Sequence, residues 1–124
     1  MKRFGRVQKS TKQVEWKEAI DIRVRTKKLV SLLDLSWIDV EKLHFYRSQN
    51  SKARAYARTW GLPKLWQRSL NVDPAYIIEV IAERFDKLSL PDQDKVILHE
   101  LTHIPRNFSG ALLPHTRRTK GGVS

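Results

Sequence analysis

The 124-residue sequence contains no cysteine, which excludes disulfides and thiolate-held metal. Acidic residues are scarce: 13 Asp and Glu stand against 24 Lys and Arg, a formal net charge of +11. That balance favours polyanionic partners, nucleic acid first. No apolar run approaches the roughly 20 residues of a membrane-spanning helix. The N-terminus lacks the apolar core of a secretory signal, so the expected location is the cytoplasm. Internal repeats, a Gly-rich phosphate loop and a Ser-His-Asp arrangement are missing as well. The length suggests one domain with a modest core. The expected organisation is a flexible basic arm over 1–13, a single domain over 14–115 and a flexible basic tail over 116–124.

What is present centres on His99-Glu100-Leu101-Thr102-His103, an H-E-x-x-H pattern. On a helix, residues i and i+4 share a face, so His99 and His103 can aim two imidazoles at one ion. Neutral imidazoles suit Zn²⁺, and Glu100, one step round, can act as general base toward a water polarised by the ion. The flanks agree with a helix. Ser89 can cap its start, Pro91 fits the first turn, and Asp92 and Asp94 suit the positive end of its dipole. Ile97, Leu101 and Ile104 form a stripe at i, i+4 and i+7, with both histidines at its edge. Pro105 should end the helix just after His103.

A catalytic zinc usually has three protein ligands and one open position. The turn-rich segment from Arg106 to Pro114 leads to His115, the candidate third ligand. Glu79 and Glu83 are competing carboxylates for that role. A metzincin arrangement is rejected, because Arg106 and Ser109 occupy the positions of its glycine and third histidine.

Elsewhere, Val14 to Leu33 reads as a first helix with an apolar stripe of Trp16, Ala19, Ile20, Val24, Leu29, Leu32 and Leu33. Lys42 to Arg47 reads as a strand. Ala53 to Trp60 is ambiguous: its alanines favour a helix, whereas its strict alternation, with Ala53, Ala55, Ala57 and Thr59 on one face and Arg54, Tyr56, Arg58 and Trp60 on the other, favours a strand, and the family resemblance given below tips the expectation to a strand. A short helix is expected over Lys64 to Leu70, and Ala75 to Ile81 is the clearest strand. Glu79 is unusual within it, and is a candidate partner for orienting a metal-bound histidine. The expected fold class is α+β: the N-terminal helix and the H-E-x-x-H helix pack on a small three-stranded sheet. Trp60 and Trp66 read as core or cleft-wall residues, with stacking on bases as the alternative.

The run from His99 to Pro105, with Phe108-Ser109-Gly110 and Pro114-His115, resembles a family of phage and archaeal metallopeptidases related to the SprT-like zincins. The resemblance extends upstream through Arg47-Ser48, Gly61-Leu62-Pro63, Trp66-Gln67, Tyr76 to Val80 and Phe85 to Leu88. It covers roughly residues 40 to 115. It implies a small zincin fold, with His99, His103 and His115 on Zn²⁺ and Glu100 as base. The expected function is a zinc-dependent metallopeptidase acting on a protein or peptide, including proteins associated with nucleic acid. The alternative is a basic nucleic-acid-binding module with a structural or vestigial zinc, contacting phosphates through Arg54, Arg58, Arg117 and Arg118.

Overall fold

The computed structural model describes residues 12–115. The basic arm and tail, including Arg117 and Arg118, fall outside these residues apart from Lys12 and Gln13. Among the described residues the fold is α+β, built from four strands and four helices. In chain order these are β1 (Glu15–Glu18), α1 (Ile20–Leu32), β2 (Leu43–Gln49), β3 (Ala57–Gly61), α2 (Lys64–Leu70), β4 (Tyr76–Ile81), α3 (Ala82–Phe85) and α4 (Leu90–Leu101). The strands form one mixed sheet in the order β1-β2-β4-β3, with β2 and β4 parallel and both outer pairs antiparallel. β3 therefore lies at a sheet edge, next to the helix that carries His99 and Glu100. No helix among the described residues is long and apolar enough to cross a membrane.

The sheet has four strands where three were expected. The additional strand, β1, lies in the stretch read as the start of the first helix. Glu15 to Glu18 pair with Gln49 to Tyr46, and the Trp16 indole donates across the sheet to Glu79 at 3.3 Å. These cross-strand bonds outweigh the helical spacing of Trp16 and Ala19. Ala19 is the switch point: its N–H donates to Phe45 O at 2.9 Å, and its carbonyl accepts from Ile22 and Arg23, opening α1. The inward face of α1 also differs from the expected stripe. Ile22 and Thr26 are buried, whereas Ile20, Val24 and Leu32 are largely exposed. Strand β3 is shorter than expected and starts at Ala57, but the expected alternation holds from there.

One sheet face carries the core. Leu43 and Phe45, Ala57, and Tyr76, Ile78 and Val80 pack with Ile22, Phe85, Ile97, Leu101 and Ile104 from the helical side. Arg25 of α1 fixes the start of α4 through hydrogen bonds to Gln93 Oε1 at 2.6 Å and Leu90 O at 3.1 Å, and an ion pair with Asp94. Trp37 Nε1 satisfies the Ile104 carbonyl just beyond the other end at 3.2 Å. The helix that carries His99 and Glu100 is thus tied down at both ends, which fixes the positions of its side chains.

The opposite sheet face holds Glu79, only 1 % exposed. It accepts from Arg58 Nε at 3.2 Å, Trp60 Nε1 at 2.8 Å and Trp16 Nε1 at 3.3 Å. Burial pushes its carboxyl up, but the indole donors and the Arg58 charge outweigh burial and hold it below the ordinary glutamate value. Asp21 is also held low, chiefly by its hydrogen bond from Arg47. Both groups bind protons less readily folded than unfolded. Their stabilising contribution is therefore complete above the unfolded carboxylate values, about 4, and is lost as pH falls through the lower folded values. Urea midpoints measured from neutral to acidic pH should decline over that window. Glu79→Gln should make the decline shallower, and an unchanged slope would contradict this role.

Candidate metal centre

Helix α4 begins as its sequence suggests. Ser89 Oγ accepts from the Asp92 N–H at 3.3 Å, and proline occupies the first turn. Ile97, Leu101 and Ile104 are all essentially buried. The α-helix closes at Leu101, two residues before His103. Its last turn tightens to i→i+3 bonds, from His103 N–H to Glu100 O and from Ile104 N–H to Leu101 O, both 3.1 Å. Pro105 supplies no backbone donor to extend it.

The third imidazole returns through a pinned loop. Gly110 has φ of +95°, a conformation that disfavours any side chain. Its N–H donates to the Tyr76 hydroxyl at 2.7 Å, and that hydroxyl donates to Ala111 O at 2.7 Å. Gln67 Nε2 donates to both Ser109 O and Leu62 O at 2.8 Å. Gly61 packs against the Gly110 carbonyl so closely that a Cβ at Gly61 would collide with it. Phe108 meets Tyr76 edge to face at 4.9 Å. The scattered motifs Gly61-Leu62, Gln67, Tyr76 and Phe108-Ser109-Gly110 are therefore one contact cluster that shapes the return of the chain. Leu113 completes it, donating its N–H to His103 O at 2.7 Å and placing its carbonyl 2.7 Å from His103 Nδ1.

Three histidines meet as a result. The ring centroids of His99, His103 and His115 lie 4.4–5.2 Å apart, and one ligand nitrogen from each falls within 4.8 Å of the others. His99 Nε2 and His115 Nδ1 are 3.3 Å apart. Tetrahedral zinc with Zn–N of about 2.0–2.1 Å separates its ligand nitrogens by about 3.4 Å, so this spacing fits such an ion. With the Leu113 carbonyl accepting from Nδ1–H, His103 keeps its Nε2 lone pair for a metal. The donor set is all imidazole, which suits a borderline-soft divalent ion.

Glu100 is buried beside the cluster, only 7 % exposed. Its carboxylate oxygen accepts from Thr59 Oγ1 at 2.8 Å. The three histidines, Glu100, Thr59 and Tyr56 line a cleft of about 770 Å³ between α4, β3 and the returning segment. Of the other expected site residues, Arg58 also borders this cleft and the rest lie elsewhere. Glu79 is on the far sheet face and contacts none of the three histidines; the Leu113 carbonyl takes the orienting place expected of it. Glu83 accepts from the Asn50 N–H at 2.9 Å and is not part of the cluster. Arg58 is paired with Glu79, while Arg54 is exposed between β2 and β3. Trp60 and Trp66 are about half exposed and lie outside the core. Thr59 was legible only as a face of a strand, since nothing in its spacing links it to Glu100.

A protein-family model described as "Putative phage metallopeptidase" matches residues 14–123. The chain belongs to this phage metallopeptidase family. The family implies a metal and a protein or peptide substrate, and the three histidines form a possible site for that metal. Neither the curated proteins nor the solved structures yield a match.

Proposed function

We propose that this phage metallopeptidase is a zinc-dependent peptidase in which His99, His103 and His115 hold the ion and Glu100 is the general base. The observation that carries the reading is the convergence of three imidazole nitrogens beside a buried carboxylate in one cleft. When bound, zinc supplies Lewis acidity, polarising the scissile carbonyl and making water easier to deprotonate. Glu100 takes the proton of the attacking water on a carboxylate oxygen and delivers it to the departing amine.

Strand β3 suits an extended substrate. Ile81 N–H donates to Tyr56 O at 2.9 Å. The antiparallel alternation then assigns the ladder bonds to Tyr56, Arg58 and Trp60 and leaves the backbone groups of Ala57 and Thr59 on the outer edge, without partners among the described residues. A peptide added there runs beside Glu100. Casein carrying a fluorescent label tests the reading: cleavage should stop on chelation and return with added zinc. Cleavage that persists in the fully demetallated protein contradicts it.

Charge supports a second activity beside the first. Seven of the 24 cations, and none of the 13 acids, lie in residues 1–11 and 116–124. Contact with nucleic acid through these flanks would bring the peptidase to proteins bound there. Arg58, committed to Glu79, is the weakest of the expected phosphate contacts.

A further inference from the structure

We propose that Thr59 is a positioning residue for the peptidase reaction, holding the Glu100 carboxylate toward the three histidines. The inference rests on the proposed role of Glu100 as general base. Thr59 sits on the edge strand, with its side chain on the face that packs against α4. Its one hydroxyl proton faces two acceptors, Glu100 Oε1 at 2.8 Å and Glu100 O at 3.1 Å. The carbonyl already accepts the His103 N–H at 3.1 Å, whereas the carboxylate has no other partner among the described residues. The proton therefore belongs to the carboxylate.

A glutamate carries three side-chain torsions, and an unheld one samples several rotamers. General-base catalysis needs the oxygen within hydrogen-bond reach of the proton it removes. A single hydrogen bond from a rigid strand restricts that freedom, and a charge-assisted bond of this type is stronger than a neutral one. The Thr59 backbone lies on the outer edge where a substrate backbone would pair, while its side chain touches the base. One residue thus sets the base in register with the peptide whose hydrolysis it assists.

The test compares Thr59→Val, which keeps the shape and removes the donor, with Thr59→Ser, which keeps the donor. Zinc per chain and the thermal midpoint serve as controls. On labelled casein, Thr59→Val should lower kcat by about tenfold or more with little change in KM, while Thr59→Ser stays near wild type. A second readout needs no activity. Three-bond couplings of the Glu100 side chain, measured in the metal-free protein, should report one rotamer in wild type and Thr59→Ser and averaging in Thr59→Val. Wild-type kcat together with a single Glu100 rotamer in Thr59→Val overturns the proposal. If Thr59→Val unfolds, Thr59→Ala takes its place with the same expectations; loss of zinc or of folding in both assigns Thr59 a structural role and also overturns it. Should Glu100→Gln prove fully active, the base assignment fails, while the rotamer measurement still decides whether Thr59 holds that carboxylate.

Discussion

Glu100→Gln should lower casein turnover by about 10²–10⁴-fold, the range ascribed to a positioned acid or base, while zinc content stays at the wild-type level. The substitution is close to isosteric. The glutamine carbonyl can accept the same hydrogen bond from Thr59 that Glu100 Oε1 accepts at 2.8 Å. Glu100 lies outside the histidine cluster, so the ligand set is untouched. What disappears is the basic oxygen proposed to take the proton from water. A buried carboxylate is replaced by a neutral amide, so folding should not suffer. A variant as active as wild type would show that the proton goes elsewhere. A variant that loses zinc would show that Glu100 supports the ligands instead of the chemistry.

The parts of this site legible in the sequence are those governed by local rules. The Ser89 cap, the stripe of Ile97, Leu101 and Ile104, and the i, i+4 histidines all follow from helical periodicity; α4 carries the cap, Ile97, His99 and Leu101, while His103 and Ile104 follow in the tightened turn beyond its end rather than inside the helix as expected. Strand β4 was legible because its six residues are nearly all apolar and follow the turn-forming stretch Asn71-Val72-Asp73-Pro74. Strand β1 was not. Its four residues are all exposed, so no burial alternation marks it, and it exists through pairing with β2, whose partner residues lie 28 to 34 positions away. The inward face of α1 was misplaced for a related reason: Ile20, Val24 and Leu32 imitate a core stripe although the helix turns Ile22 and Thr26 inward. Contacts across the chain were invisible in the same way. Thr59 meets Glu100 across 41 positions, and Gly61 meets Gly110 across a similar span. Neither pairing leaves a local pattern. Glu79 was noticed as a carboxylate out of place, but its explanation is two indoles and an arginine on the other side of the sheet.

His115 carries the second large expectation. Its imidazole comes from an exposed stretch at the end of the described chain, delivered by the Leu113 bonds to His103 and the Gly110 loop. Without it, His99 and His103 form only a two-nitrogen site at the end of α4. A catalytic zinc held by protein normally needs three such ligands, so His115→Ala should bind zinc far more weakly while folding as before, because the side chain lies outside the core. Cleavage of casein should fall with the zinc.

The measurement that tests the account most directly is zinc per chain in purified wild type and His115→Ala, prepared in parallel and dialysed against the same buffer. About one zinc is expected in wild type and clearly less in the variant. Equal zinc in both would remove His115 from the ligand set. No zinc in either, even after it is added back, would contradict the three-histidine centre itself.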